Sequence, residues 1–232
     1  MDQKALDEEE LAPFAPVAAA APASPEPLTA LKDALEVLRA QARYLQQPET
    51  LGLYGAIHKR LWEINPAPEL LDTGITAYAR GFALKQDHYT GIDFAFLLDL
   101  RAREHLKAGQ RDDAITDHRL AMRMRKDVAQ IARAHLERLP EEVGNEHYWV
   151  LASLWEPALG TGDAVALAGY EAALRSMKLA DCMQDTWKWQ GKKLRALLEE
   201  CKALLDWAAS RWSTGPCRAV ATPQKIVSAG TR

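Results

Sequence analysis

The chain has little of what enzymes and secreted proteins depend on. Its three cysteines, Cys182, Cys201 and Cys217, are odd in number and widely spaced, and none forms a Cys-x-x-Cys pair. That argues against a disulfide framework and against a zinc site. Neither glycine-rich phosphate motif is present, and Gly160-Thr161-Gly162 is too short for one and reads as a turn. No HExxH or HxxxH pair and no Gly-x-Ser-x-Gly elbow occurs. No apolar run approaches the ~18 residues of a membrane span. The first ten residues are acidic where a secretory leader needs a basic start. A net charge of −3 gives no bulk attraction to nucleic acid. The expectation is a cytoplasmic protein without catalysis, cofactor, metal or membrane contact.

What is present is helical periodicity. Leu28, Leu31, Leu35, Leu38, Ala42 and Leu45 mark one buried face over 28–47, and Pro48 breaks it. Leu51, Tyr54, Ile57, Leu61 and Trp62 mark the next helix, from Thr50 to Ile64. Asn65-Pro66-Ala67-Pro68 must be a loop, because two prolines do not sit in a helix interior. Glu69 to Lys85 then pairs with the helix before it. His88–Lys107 pairs with Arg111 to about Leu139, and His147–Leu159 with Ala164–Lys178. Pro157 predicts a kink or an early end. Asp181 to Trp212 is the last helix, with Trp189, Leu194, Leu197, Leu198, Leu204, Leu205 and Trp207 inward and Gly191 a weak point. It would cap the open end of the stack. Residues 1–27, acidic and then rich in Ala and Pro, have no core pattern, and neither does 213–232. Both are expected to be disordered tails around a domain at 28–212.

The organising stretch is Tyr78–Leu98, YARGFALKQDHYTGIDFAFLL, a helix end, a turn capped by Asp87 and a helix start. Gly74, Tyr78 and Gly81 share one face at four-then-three spacing, small-aromatic-small. Ala114, His118 and Ala121 repeat it, and so do Ala166, Tyr170 and Ala173. Small residues at Gly55, Ala95 and Ala152 precede each set. A repeated helix pair is the signature of a solenoid. The pattern resembles tetratricopeptide repeats, with Ala152, Trp155, Ala166, Tyr170 and Ala173 near the family's small and aromatic positions. The spacing is wider than its standard repeat. More narrowly, Tyr78–Leu98, Glu49–Glu63 and His147–Asp163 look like the TRAF-binding domain of mitogen-activated protein kinase kinase kinases and its stand-alone bacterial relatives. The resemblance spans about 28–210. It implies an all-α stack of antiparallel helix pairs, an α-solenoid, with a C-terminal capping helix and a protein partner.

A solenoid has a concave face lined by the first helix of each pair. By repeat analogy its lining is Lys59, Tyr89, Phe96, Asp99, Trp149, Ser153 and Glu156, suited to a partner peptide or helix. Three further readings compete. From Arg101 to Arg138 ten Lys or Arg face six acids. That run reads first as a solvated helix face. It reads second as a nucleic-acid or phospholigand surface built on Arg119, Arg123, Arg125 and Lys126. Last, His88, Asp93, Asp99 and His118 suggest a metal or hydrolase site, against which His118 fills the aromatic slot of its repeat and reads as a packed core histidine.

Overall fold

The computed structural model describes residues 26–40, 46–140, 144–177 and 180–213, and every regular element among them is a helix. In order they are α1 (Glu26–Ala40), α2 (Pro48–Ile64), α3 (Pro68–Lys85), α4 (His88–Lys107), α5 (Arg111–Leu136), α6 (Asn145–Thr161), α7 (Ala164–Ser176) and α8 (Asp181–Ser213). The fold class is the expected all-α one.

Local chemistry sets the boundaries. Pro48 and Pro68 stand in the first turns of α2 and α3, where a missing N–H costs no helical bond. Asp87 caps α4 by accepting from the Thr90 backbone N–H at 2.7 Å, as expected, and Asp163 caps α7 through Ala166 at 3.0 Å. Gln86 closes α3 in the left-handed region at φ 52°. α1 stops at Ala40, and Ala42 and Leu45 of the expected face lie outside the described residues, as do the leader to residue 25 and the tail from 214. Pro157 does not end α6, which runs on to Thr161. A proline removes one backbone bond, and here the surrounding turn is held by burial of Trp155, Pro157 and Ala158.

The pairs α2/α3, α4/α5 and α6/α7 stack through α3 on α4 and α5 on α6. The first helices also touch in series, α2 on α4 and α4 on α6. Glycine makes the closest approaches. A β-carbon on Gly55 would lie 2.7 Å from the Tyr78 ring, so that ring lies flat on the α2 backbone. One on Gly74 would lie 3.5 Å from the Gly55 carbonyl. The small-aromatic-small set is thus the seam of the first pair. α4 is the hub. Helices α2, α3, α5, α6 and α8 surround it. Its expected stripe therefore widens to nearly the whole circumference, Ile92, Phe94 to Leu98, Leu100 and Ala102 being buried.

α8 departs from expectation in its path. It does not sit only beyond α7 but lies on α4, α5 and α6, so it caps the stack along its inner face. Trp187, Leu194, Leu197 and Cys201 bury one side of it. Gly191 is no weak point: it lies against the Trp155 ring, where a β-carbon would collide. Trp189 does not face inward. It stands about 200° round the helix from Trp187, is 36% exposed, and lies under Lys193 Nζ at 3.4 Å. The side chains of Leu204, Leu205 and Trp207 lie outside the described residues.

Candidate functional site

The inner face is built by α2, α4 and α6 with α8 across it. Lys59 on α2 pairs with Asp93 on α4, both largely buried. Tyr89 is 48% exposed at the start of α4. Trp149, at the start of α6, is half-buried and meets Tyr148 edge-on at 4.6 Å. Ser153 is buried, its Oγ 2.8 Å from His88 Nδ1. Burial pushes the His88 imidazole down to about 4, helped by His135 close by.

Phe96 and Asp99 offer no surface to a partner in this arrangement, being 2% and 0% exposed. Both sit on the hub helix, and Cys201 of α8 reaches the Asp99 carbonyl with Sγ at 3.8 Å. Glu156 is buried as well, and its Oε1 has no hydrogen-bond partner among the described residues. Burial raises its carboxyl to about 7, against the pull of Arg125 and Lys59 and with the push of Asp93.

Of the basic-face candidates, Arg119, Arg123 and Lys126 are exposed on α5. Arg125 is not part of that face. It is fully buried, with NH1 2.6 Å from Asp99 Oδ2. The reason is helical register. Arg125 falls four and seven residues after Ala121 and His118, on the core side of α5. His118 is the expected core histidine, 3% exposed, its Nδ1 2.6 Å from Asp99 Oδ1.

Asp99 thus holds two partners from α5, a buried polar knot in an apolar hub. Gly160 makes room for it, since a β-carbon there would strike the Arg125 side chain. Nothing in the repeat grammar pointed to this pair. The available signal was Asp99 itself, a lone acid inside FAFLLDL. A buried charge needs a buried partner.

Of the expected metal ligands His88, Asp93, Asp99 and His118, the fold brings only Asp99 and His118 into contact. His88 turns to Ser153 and Asp93 to Lys59. Asp99, His118 and Cys201 instead bring one donor atom each within 4.8 Å of one another. That donor set suits a transition metal in type. The charge works against it, because a cation would share Asp99 with a buried guanidinium, and burial holds the Cys201 thiol up at about 12.

A family model described as Tetratricopeptide Repeats-Sensor matches residues 6–98, less than half of the chain, reaching through α1–α3 into the middle of α4. The chain is tetratricopeptide-like. No curated protein and no solved structure matches it. No helix among the described residues is long and apolar enough to cross a membrane.

Proposed function

We propose that this tetratricopeptide-like chain is a non-catalytic protein-interaction module, a scaffold or regulatory subunit that engages a partner peptide or helix on its inner face. The single observation behind this is α8, which lies along α4 and α6 and so exemplifies a helix accommodated on that face. Extended inner surfaces of helix-pair stacks suit such ligands. Tyr89 and Trp149 are the accessible aromatic contacts. The narrower form of the proposal, a TRAF-binding-type module in a cytoplasmic signalling assembly, draws on the resemblance of Tyr78–Leu98, Glu49–Glu63 and His147–Asp163.

The test is affinity capture from the native cell by the wild-type chain and by a chain carrying Tyr89→Ala and Trp149→Ala. A stoichiometric protein retained by the first and lost by the second is the expected result. Capture of no protein by a well-folded bait would sink the proposal.

A second reading has its own observation, the exposure of Arg119, Arg123 and Lys126 on one stretch of α5. If that face holds a phosphate-bearing polymer, single-stranded oligonucleotide should bind with an affinity that falls steeply with salt. Salt-insensitive or absent binding removes it.

A further inference from the structure

We propose that the cleft between α7 and α8 binds an acidic peptide segment, and that its occupant is the chain's own acidic leader, residues 7–14. This goes beyond the interaction-module reading and rests on residues other than Tyr89 and Trp149.

The cleft follows from how three helices meet. α7 and α8 both pack on α6. Two sets of hydrogen bonds tie them to each other: Gln184 of α8 donates to the Leu174 and Met177 carbonyls, and Arg195 donates to Glu171 Oε1 at 2.9 Å. Between these ties lies a cleft of about 460 Å³. From Gln184 to Arg195 the helix rises about 16 Å, the length of about five extended residues. Trp155 and Trp187, edge-on with centroids 5.5 Å apart, make the floor with Gly191. The walls are cationic. Arg175 stands on α7, and Lys188, Lys192 and Arg195 fall at four-then-three spacing on one face of α8. A single carboxylate, Glu171, stands among the four, and it is already engaged by Trp155 Nε1 at 3.2 Å, by Arg195 and by Arg175 at 3.4 Å. Lys188 and Lys192 are exposed, and neither is paired with a carboxylate among the described residues. Like charges gathered over an apolar floor repel one another, and an anion relieves that repulsion. A short acidic strand with an apolar side chain answers both wall and floor.

The leader has that chemistry. Residues 1–14, MDQKALDEEELAPF, hold five acids and one lysine, with Asp7 to Glu10 in an unbroken run and Leu11 and Phe14 just after it. It also starts from a suitable place. Leu35 of α1 packs with Ile57 and Leu61, while Arg39, one turn later, meets Tyr54, so α1 runs antiparallel to α2. Its first residue, Glu26, therefore lies toward the Glu63 end of α2. There Lys193, the neighbour of Lys192 on α8, lies 2.7 Å from Glu63 Oε1. The chain from Glu10 to Glu26 can reach up to about 53 Å, which is several helix diameters of about 10 Å each.

A tethered leader competes for its site at high effective concentration, which shapes the test. The probe is a fluorescent synthetic peptide of residues 1–14, read by anisotropy against full-length chains at low salt. A chain carrying Asp7→Ser, Glu8→Ser, Glu9→Ser and Glu10→Ser should bind it at least about tenfold more tightly than wild type, whose own leader fills the cleft. Adding Lys188→Glu and Lys192→Glu, two exposed positions that hold no core contact, should abolish that binding. The unaltered chain gives an independent reading through a carbodiimide, which condenses a carboxylate with an amine into an amide and takes up the water as its urea. Links from residues 7–10 to Lys188 or Lys192 within one chain are expected. Failure of the peptide to bind the serine variant overturns the proposal, as does binding that the two reversals leave unchanged. Equal affinity for wild type and the serine variant would give the cleft to another protein's acidic segment and overturn the leader as occupant. Links found only between two chains would give it to a second copy and do the same.

Discussion

The first two helix pairs and the α6–α8 end meet the same demand, closing helices on one another, with different chemistry. In α2–α5 the seams are made by glycine under aromatic or aliphatic side chains and by one buried charge pair. Gly91 shows how tight this is: its β-carbon would lie 2.5 Å from Val128. At the α6–α8 end the filling is tryptophan, again on a glycine, since a β-carbon on Gly191 would lie 2.2 Å from the Trp155 ring, and ion pairs at the rim are added to it. Both ends exclude an added atom at the seam, and they differ in that the second is edged by partly solvated charge.

The strongest way to break this comparison is at the hub. Asp99→Asn keeps an acceptor for His118 but leaves Arg125 buried without its counter-charge, at a cost of about 3–5 kcal/mol. Urea denaturation should show that loss, and Asp99→Leu with Arg125→Met should recover most of it. A single substitution that left the midpoint unmoved would deny the pair its structural role.

Next come the glycines. Gly55→Ala pushes a methyl into the Tyr78 ring and should cost about 1–3 kcal/mol of global stability. Gly191→Ala should instead raise hydrogen exchange in α8 while leaving α2–α5 protected. If both substitutions act globally, the two seams are one cooperative unit.

A subtler effect is on pH, at the α4–α6 contact. Between about 4.5 and 7 the native Glu156 carboxyl holds a proton that the unfolded one has lost, so its contribution to stability falls as pH rises. Arg125, Asp93, Lys59 and Gln190 face it. His88 works oppositely. Between about 4 and 6.5 the unfolded imidazole holds a proton that the native one lacks, so stability rises with pH. The two slopes largely offset in the wild type. Glu156→Gln should uncover a rise from pH 4.5 to 6.5 in thermal melts, and His88→Gln a fall. Unchanged profiles in both variants would place these groups in solvent.

The smallest effect belongs to the rim. Lys193→Ala or Arg195→Ala should change stability by only about 0–1 kcal/mol, because each pair is partly solvated. A loss several times larger would mean that α8 is fastened by charge after all.

Much of the architecture was legible before the structure. The three pairs follow from three-and-four spacing between prolines, and the joint at Tyr78 from its small-aromatic-small order. His118 was placed correctly because its position in the repeat, not its chemistry, set its environment. The inner-face residues were less legible. Phe96 and Asp99 lie on the expected helix, but whether that face is open depends on where α8 runs. Arg125 belongs to the basic run along the chain, but burial is decided round the helix and puts it on the core side. Trp187, not the expected Trp189, takes the inward place on α8, two residues being enough to move a side chain across the helix.

By itself the sequence determined the helices, their caps and their pairing, because these depend on contacts a few residues apart and on stripes that must be buried. Only the tertiary structure decided that the last helix returns over the inner face, that α4 is enclosed by five neighbours, and that Asp99 and Arg125 neutralise each other inside it. Those outcomes join residues far apart in the chain, and they turn on close approaches such as Gly191 at the Trp155 ring and Gly160 at the Arg125 side chain, which no local spacing encodes.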